Sequence, residues 1–178
     1  MRNGDWMVTY THKKFWPLDP HCDDVCIEDI AHALSLICRF GGHCREFYSV
    51  AQHSILVAGL VAMVEPEFTL EALMHDAAEA YLGDFIRPIK RMVPELSLWE
   101  VRVMGAIRRG FGLKDHGAKT IKWADDCLLR SEHAQIINDG REWPTDRMDG
   151  LDVVIIPMSP IAAESEFLRN FKLWSNGS

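Results

Sequence analysis

The sequence predicts an all-α helical bundle, and three observations carry that reading. Apolar residues recur at helical spacing along most of the chain, Ser, Pro and Gly signals cut it into helix-length segments, and strand signals are confined to Met7–Tyr10 and Val153–Ile156. Residues 1–24 read as irregular, broken by Pro17 and Pro20. Ile27, Ile30, Ala31, Leu34 and Ile37 give a first helix of about Ile27–Arg39, stopped by Gly41-Gly42. Ser49-Val50-Ala51-Gln52 is a capping box that opens a second helix running to Val64, before Pro66. A third spans about Thr69–Leu82, with Gly83 past its end. The segment GDFIRPIK is expected to be a loop, because Pro88 interrupts it. Ser97 and Glu100 read as another capping box, and that helix ends near Gly110 or Gly112. A long helix covers about Ala118–Asn138. Residues 141–152 are polar and turn-rich. Ser159-Pro160 fits an N-cap with proline at the first helical position, so a last helix runs to about Trp174.

The 178 residues fit one domain, with a core at about 25–140 and the C-terminal helix at about 160–174. No repeat, low-complexity tract or linker divides them. The net charge of −7 argues against general nucleic-acid binding, although a local basic pocket can still hold a small anion. The longest apolar run, Ile55–Val64, is too short to span a bilayer, and the start MRNGDWMVTY lacks an apolar signal core. A cytoplasmic protein with no membrane partner is the expectation. The five cysteines, Cys22, Cys26, Cys38, Cys44 and Cys127, form no C-x-x-C pair and read as reduced thiols.

The most informative feature is His75-Asp76, followed by Glu79, inside the apolar run EALMHDAAEAYLG. His and Asp side by side suit a metal. Glu79, one helical turn past His75, reaches whatever the metal holds. Such a tripod is the equipment of a hydrolase. A metal centre needs more ligands, and His53 in SVAQHS and Asp125 in KWADDCLL both interrupt otherwise apolar faces. A buried His or Asp must be paired or metal-bound, because burying it alone is costly. Taken singly, His53 reads as a satisfied core histidine, and Asp125, beside Asp126, as part of a solvated face. Their spacing across three helices is what points to a shared site.

The ordered set His53…His75-Asp76…Asp125 resembles the HD-domain phosphohydrolases, in which H…HD…D coordinates a metal inside a helical bundle. HDAAEAYLGDFIRPIK is similar to the HD-A-S-E…GD…P-x-K stretch of bacterial 5′-deoxynucleotidases. ICRFGGHCREFYSVAQHS and FWPLDP resemble a phage branch of that family, dATP triphosphohydrolases of phages that replace adenine with 2-aminoadenine. The resemblance covers about residues 14–135. It implies that Glu79 is the catalytic carboxylate, that Asp84 contacts the sugar, and that Arg39, fourteen residues before His53, binds phosphate. It also implies a base slot formed by Trp16 and Leu18, and a homo-oligomer, dimeric or hexameric. A phage-encoded chain would work in the host cytoplasm.

Elementary chemistry agrees. Two imidazoles and two carboxylates suit Mn, Co, Fe, Ni or Zn better than Mg, with further metal ions able to accompany the substrate phosphates. Glu79 can orient water or pass a proton to the leaving 5′ oxygen. Arg39, with Lys90 or Arg87, can stabilise charge on the phosphoryl oxygens. Each has a plainer reading. Arg87 and Lys90 can be solvated loop charges, Asp84 can close a turn after Gly83, and Trp16, between Phe15 and Pro17, can be core. His32 and His43 read as structural. The predicted function is therefore a metal-dependent deoxynucleotide phosphohydrolase, most specifically for dATP with dADP and dAMP, with a small-molecule deoxynucleotide as its partner. A general 5′-deoxynucleotidase is the alternative. A cyclic-dinucleotide phosphodiesterase is disfavoured because no Gly-Tyr-Pro segment occurs. A catalytically idle nucleotide-binding HD protein is disfavoured because His53, His75, Asp76, Glu79 and Asp125 are all present.

Overall fold

The computed structural model describes residues 2–147 and 150–175. Among these, eight α-helices and one two-stranded ribbon form an all-α bundle. The organising element is α2 (Val50–Val64), which packs against α1 (Ile27–Leu36), α3 (Thr69–Leu73), α7 (Ala118–Glu132) and α8 (Pro160–Ser175). Its sequence explains that position. Val50, Ala51, Val57, Ala58, Leu60 and Val61 are buried around its circumference, and a helix that is apolar on most sides belongs in a core. Ser49 caps it by accepting from the Gln52 amide. Only half of the expected capping box forms. The Gln52 side chain instead donates to Ile156 O and accepts from the Met158 amide, tying the C-terminal segment to the start of α2.

The N-terminal arm is fastened in the same way. Met7–Val8 pairs antiparallel with Lys14–Phe15, Met7 lying opposite Phe15. The Thr11 amide and hydroxyl both donate to the buried Asp29 carboxylate of α1, at 2.6 and 2.9 Å. Phe15 is fully buried and stacks on Tyr81 of α4 (Glu79–Leu82), with ring centroids 3.9 Å apart. Asn138, at φ 46°, ends a π-helical turn, His133–Ile137, that follows α7.

Four expectations need correction. The helix expected over Thr69–Leu82 is interrupted at the His-Asp pair. There the backbone tightens to i→i+3 bonding: Ala77 donates to Met74 O at 3.1 Å and Glu79 to Asp76 O at 2.9 Å. The Ala72 carbonyl takes a bond from the His75 ring at 2.7 Å as well as from the His75 amide at 3.4 Å. Second, GDFIRPIK is not all loop. Arg87–Met92 forms α5 with Pro88 near its start, where a proline opens a helix instead of breaking it. Third, α6 (Pro94–Phe111) begins before Ser97, also on a proline, so Ser97 and Glu100 lie inside the helix and form no cap. Fourth, Val153–Ile156 forms no strand among the described residues. Its polar groups go to α7 and the turn after it, Val153 N to Ser131 Oγ and Ile155 N to Gln135 Oε1.

Candidate metal centre

His53 sits in the first turns of α2 and is completely buried. Its Nδ1–H donates to Glu132 Oε1 at 2.7 Å, which turns Nε2 toward Asp125 Oδ1, 3.4 Å away. The His75 ring is fixed in the same sense by its bond to Ala72 O. Both Nε2 atoms are buried and have no hydrogen-bond partner. They lie beside Asp125, which projects from the middle of α7. His53, His75 and Asp125 each offer one ligand atom, all within 4.8 Å of one another, and this group can hold a metal ion. Asp76 Oδ2 stands 3.2 Å from His75 Nε2 and 3.7 Å from His53 Nε2, adjoining the trio without being part of its tightest set. Two orphaned imidazole nitrogens with carboxylates at 3.2 to 3.7 Å are what a cation site looks like from the protein side.

The charges point the same way. Burial alone would raise the Asp125 and Asp76 carboxyls, but the neighbouring imidazoles and Arg39 outweigh it and hold both far below the usual carboxylate range. Burial alone would lower His75, yet Asp76 and Asp125 carry it up to about 9. In the protein alone, a proton on His75 offsets these carboxylates. A divalent cation held there would take the place of that proton.

Glu132 supports the centre and was missed from the sequence. It is fully buried, and its two oxygens accept from different cations, Oε1 from His53 and Oε2 from Arg39 Nη2 at 2.9 Å. A carboxylate behind a metal-ligating histidine fixes its tautomer and raises its basicity. The signal was present. Glu132 lies seven residues after Asp125 on the same face of α7, among the buried Leu128, Leu129 and Ser131. Arg39 Nη1 stands 3.9 Å from Asp76 Oδ2, so the guanidinium bridges support and cluster. Burial opposes its charge, but Glu132, Tyr48, Asp76 and Asp125 hold its pKa above the ordinary arginine value.

Glu79 opens α4 and is buried. The sequence placed it one turn past His75. The tightened turn aligns it with Asp76 instead, because residues three apart eclipse when bonding is i→i+3. Burial, then the charges of Asp76 and Asp84, push its carboxyl well above the ordinary value, against the pull of Lys90. Lys90 Nζ lies 3.0 Å from Glu79 Oε1 and 2.8 Å from Glu100 Oε1. Arg87 reaches Asp125 Oδ2 at 3.3 Å. Asp84 follows Gly83, whose φ of 87° ends α4, and lies close enough for the charges of Arg39, Asp76, Lys90 and His53 to act on it. A cavity of about 270 Å³ opens beside these groups, lined by His75, Asp76, Glu79, Lys90, Glu100 and Arg108. The α6 side chains in that wall were not anticipated. A larger cavity, about 590 Å³, lies at the end of α7 beside His133 and Arg141 and is lined by none of the candidate residues.

The base-slot residues stand apart in their contacts. Trp16 is half-buried, with the Arg2 guanidinium 4.3 Å over its ring, and Leu18 is exposed. Both belong to the N-terminal arm. His32 is structural, bonding Glu164 at 3.1 Å and stacking on Tyr10. His43 is exposed in the turn after α1.

Fold and site together define an all-α protein with a His/Asp group, built around the buried His53, that is able to hold a metal ion. No family model matches the chain. It is 39% identical over 171 residues to the uncharacterized protein YfdR of Escherichia coli, covering 93% of both chains, and it belongs to that protein's family. An uncharacterized protein of Rhodobacter capsulatus is 36% identical over 142 residues, 74% of this chain and 72% of that one. A 27% identity over 124 residues to the probable 4-coumarate–CoA ligase 1 of Dictyostelium discoideum involves only 22% of that protein and transfers no activity. Among the described residues, no helix is long and apolar enough to cross a membrane.

Proposed function

We propose that this protein is a metal-dependent phosphohydrolase of the HD type that acts on deoxynucleotides, dATP foremost, giving deoxyadenosine and tripolyphosphate, with dADP and dAMP also hydrolysed. One observation carries the reading: two buried, unpartnered imidazole nitrogens converge with Asp125 and Asp76 beside a cavity that holds a carboxylate of raised pKa. A divalent transition metal of the Co, Mn, Zn, Fe or Ni kind, once bound, supplies a water competent to attack phosphorus at neutral pH.

The chain's own residues supply the rest. His53, His75, Asp76 and Asp125 would hold the cation. Glu79 keeps a proton to higher pH than an ordinary carboxylate, which suits a group that protonates the departing 5′ oxygen. Arg39, fixed by Glu132, presents its remaining donors to phosphoryl oxygens, where charge grows as the bond breaks. Asp84, next to the cluster, is positioned to accept from a sugar 3′ hydroxyl. The purine slot of Trp16 and Leu18 rests mainly on the family resemblance, the homo-oligomer on that resemblance together with six tryptophans and the irregular arm, and the cytoplasmic location on the sequence.

One observation favours the narrower reading of a general 5′-deoxynucleotidase. Arg87 and Lys90 are each engaged by carboxylates, so a polyphosphate tail must draw them away, whereas a monophosphate need not. Incubating the purified protein with each deoxynucleoside mono- and triphosphate plus Mn or Co, and separating products by chromatography, distinguishes the two. Tripolyphosphate from dATP ahead of dGTP is expected. Turnover of monophosphates alone selects the 5′-deoxynucleotidase, and no phosphate release from any deoxynucleotide removes both.

A further inference from the structure

Cys38 and Cys44 face each other across the turn that carries Arg39. Their sulfurs are 3.3 Å apart, and neither is bonded to another cysteine. The turn between them has an unusual path: Phe40, Gly41 and Gly42 all have positive φ, at 57°, 61° and 79°. That path folds the chain back so that positions six apart meet. Cys38 is itself held in place, since it bridges Ser49 and the next amide, Arg39 N, donates to Tyr48 O at 2.9 Å. On the far side, Arg45 N donates to Ile136 O at 3.1 Å. Both ends of the turn are anchored, and both thiols are partly accessible.

We propose that Cys38 and Cys44 form a dithiol modification site, oxidised by hydrogen peroxide to an intramolecular disulfide that pins the Arg39 turn. The two thiols each give up a proton and one electron, the S–S bond forms, and the peroxide O–O bond breaks to yield two waters. Bond formation closes the sulfurs from 3.3 Å to about 2.05 Å, a short displacement for two side chains that already face each other. Peroxide converts one thiol to a sulfenic acid, and the facing thiol, 3.3 Å away, resolves it to the disulfide. The inference stands on the turn's geometry and does not depend on the proposed hydrolase activity. Its consequence reaches the site because Arg39 lies within the closed loop and holds Glu132.

The test uses the full-length protein under native conditions. After peroxide, alkylation and digestion, mass spectrometry should find the Cys38–Cys44 segment lighter by two hydrogens and unalkylated, with Cys22, Cys26 and Cys127 alkylated. Dithiothreitol should reverse the change. In Cys44→Ser the disulfide is lost and dimedone traps a sulfenic acid on Cys38. Amide exchange over residues 39–44 should slow in the oxidised wild type relative to the reduced. Both cysteines remaining alkylatable once the peroxide is consumed, or a bridge to any other cysteine, overturns the site. A disulfide that leaves exchange over 39–44 unchanged overturns the pinning.

Discussion

The floor of the candidate site and its rim are built on different principles. The floor consists of His53, Asp125 and Glu132, mounted on the two fifteen-residue helices α2 and α7 that pack against each other. His53 and Glu132 are fully buried, and each polar atom of Glu132 has its own cationic partner. The rim is Glu79, Asp84, Arg87 and Lys90, carried by a four-residue and a six-residue helix and the link between them. Arg87 is half exposed, and the rim's ion pairs join long, flexible side chains. The pair of the half-exposed Arg87 contributes little to stability and exchanges partners readily, whereas Lys90 pairs with the buried Glu79. The floor is therefore suited to fixing a cation, and the rim to releasing its own carboxylates when an anion arrives.

If that division is right, the largest effect belongs to the floor. Asp125→Ala removes the one carboxylate of the tight trio and should abolish tight binding of transition metal, read by elemental analysis after desalting, together with all hydrolytic activity. Asp76→Ala should act alike, although Asp76 adjoins the trio. A fully metallated, active Asp125→Ala protein would mean that the cluster is only an internal salt-bridge network.

A change at the rim should separate rate from metal. Glu79→Ala is expected to keep its metal and lose about a hundred- to ten-thousand-fold in turnover, the usual contribution of general acid–base groups. Steady-state kinetics alongside metal analysis checks this. If metal content falls in proportion to rate, Glu79 belongs with the floor and the comparison fails.

A smaller effect should come from behind the floor. Glu132→Gln replaces two acceptors by one acceptor and one donor, so either His53 or Arg39 faces a mismatched group. Metal affinity should drop by about 10- to 100-fold, as it does when such supporting partners are changed. Calorimetric titration of metal into the variant measures it. An unchanged affinity would show that packing alone orients His53.

How much of this was legible in the sequence follows the same division. His75 and Asp76 stood out as an adjacent pair in an apolar run, His53 and Asp125 because each interrupts an apolar face, and the structure brings all four together. The same argument applied to Glu132, but a lone glutamate near a helix end reads as solvated until its helix is known to be buried. The rim was misread because a proline carries opposite meanings by position. Pro88 looks like a breaker in a string of residues and proves to be a helix starter. The local tightening at His75-Asp76 left no trace in periodicity, since it depends on the His75 ring competing for the Ala72 carbonyl. Trp16 and Leu18 rested mainly on the resemblance, and the Arg2 guanidinium over the Trp16 ring belongs to the same arm.

The smallest expected effect tests how far the rigidity of the floor extends along α7. His133 directly follows Glu132, stacks on Trp143 and bonds Asp139 at 3.0 Å and Asp146 at 2.9 Å. Burial alone would lower its pKa, but those two carboxylates outweigh it and raise the value above 6.5. Asp139, through its bond to His133, lies below the ordinary value. Asp146 does too, because its bonds to Trp143 N and His133 outweigh burial. The sign follows from the histidine: a raised folded pKa means the stabilisation is complete below pH 6.5 and fades as pH rises through the folded value. On the acid side the same cluster weakens as the two aspartates, depressed below 3.8, take up protons. Denaturant unfolding of the metal-free wild type and of His133→Gln across neutral to mildly alkaline pH should therefore converge. The wild type loses an advantage of about 1 kcal/mol or less, the scale of peripheral ion pairs, while Glu132 and the metal ligands are left in place. A constant gap across that range would mean that His133 acts through its stacking on Trp143 and not through its charge. A large collapse of the wild type would mean that α7 depends on this outer cluster, and that the floor is less self-sufficient than its burial implies.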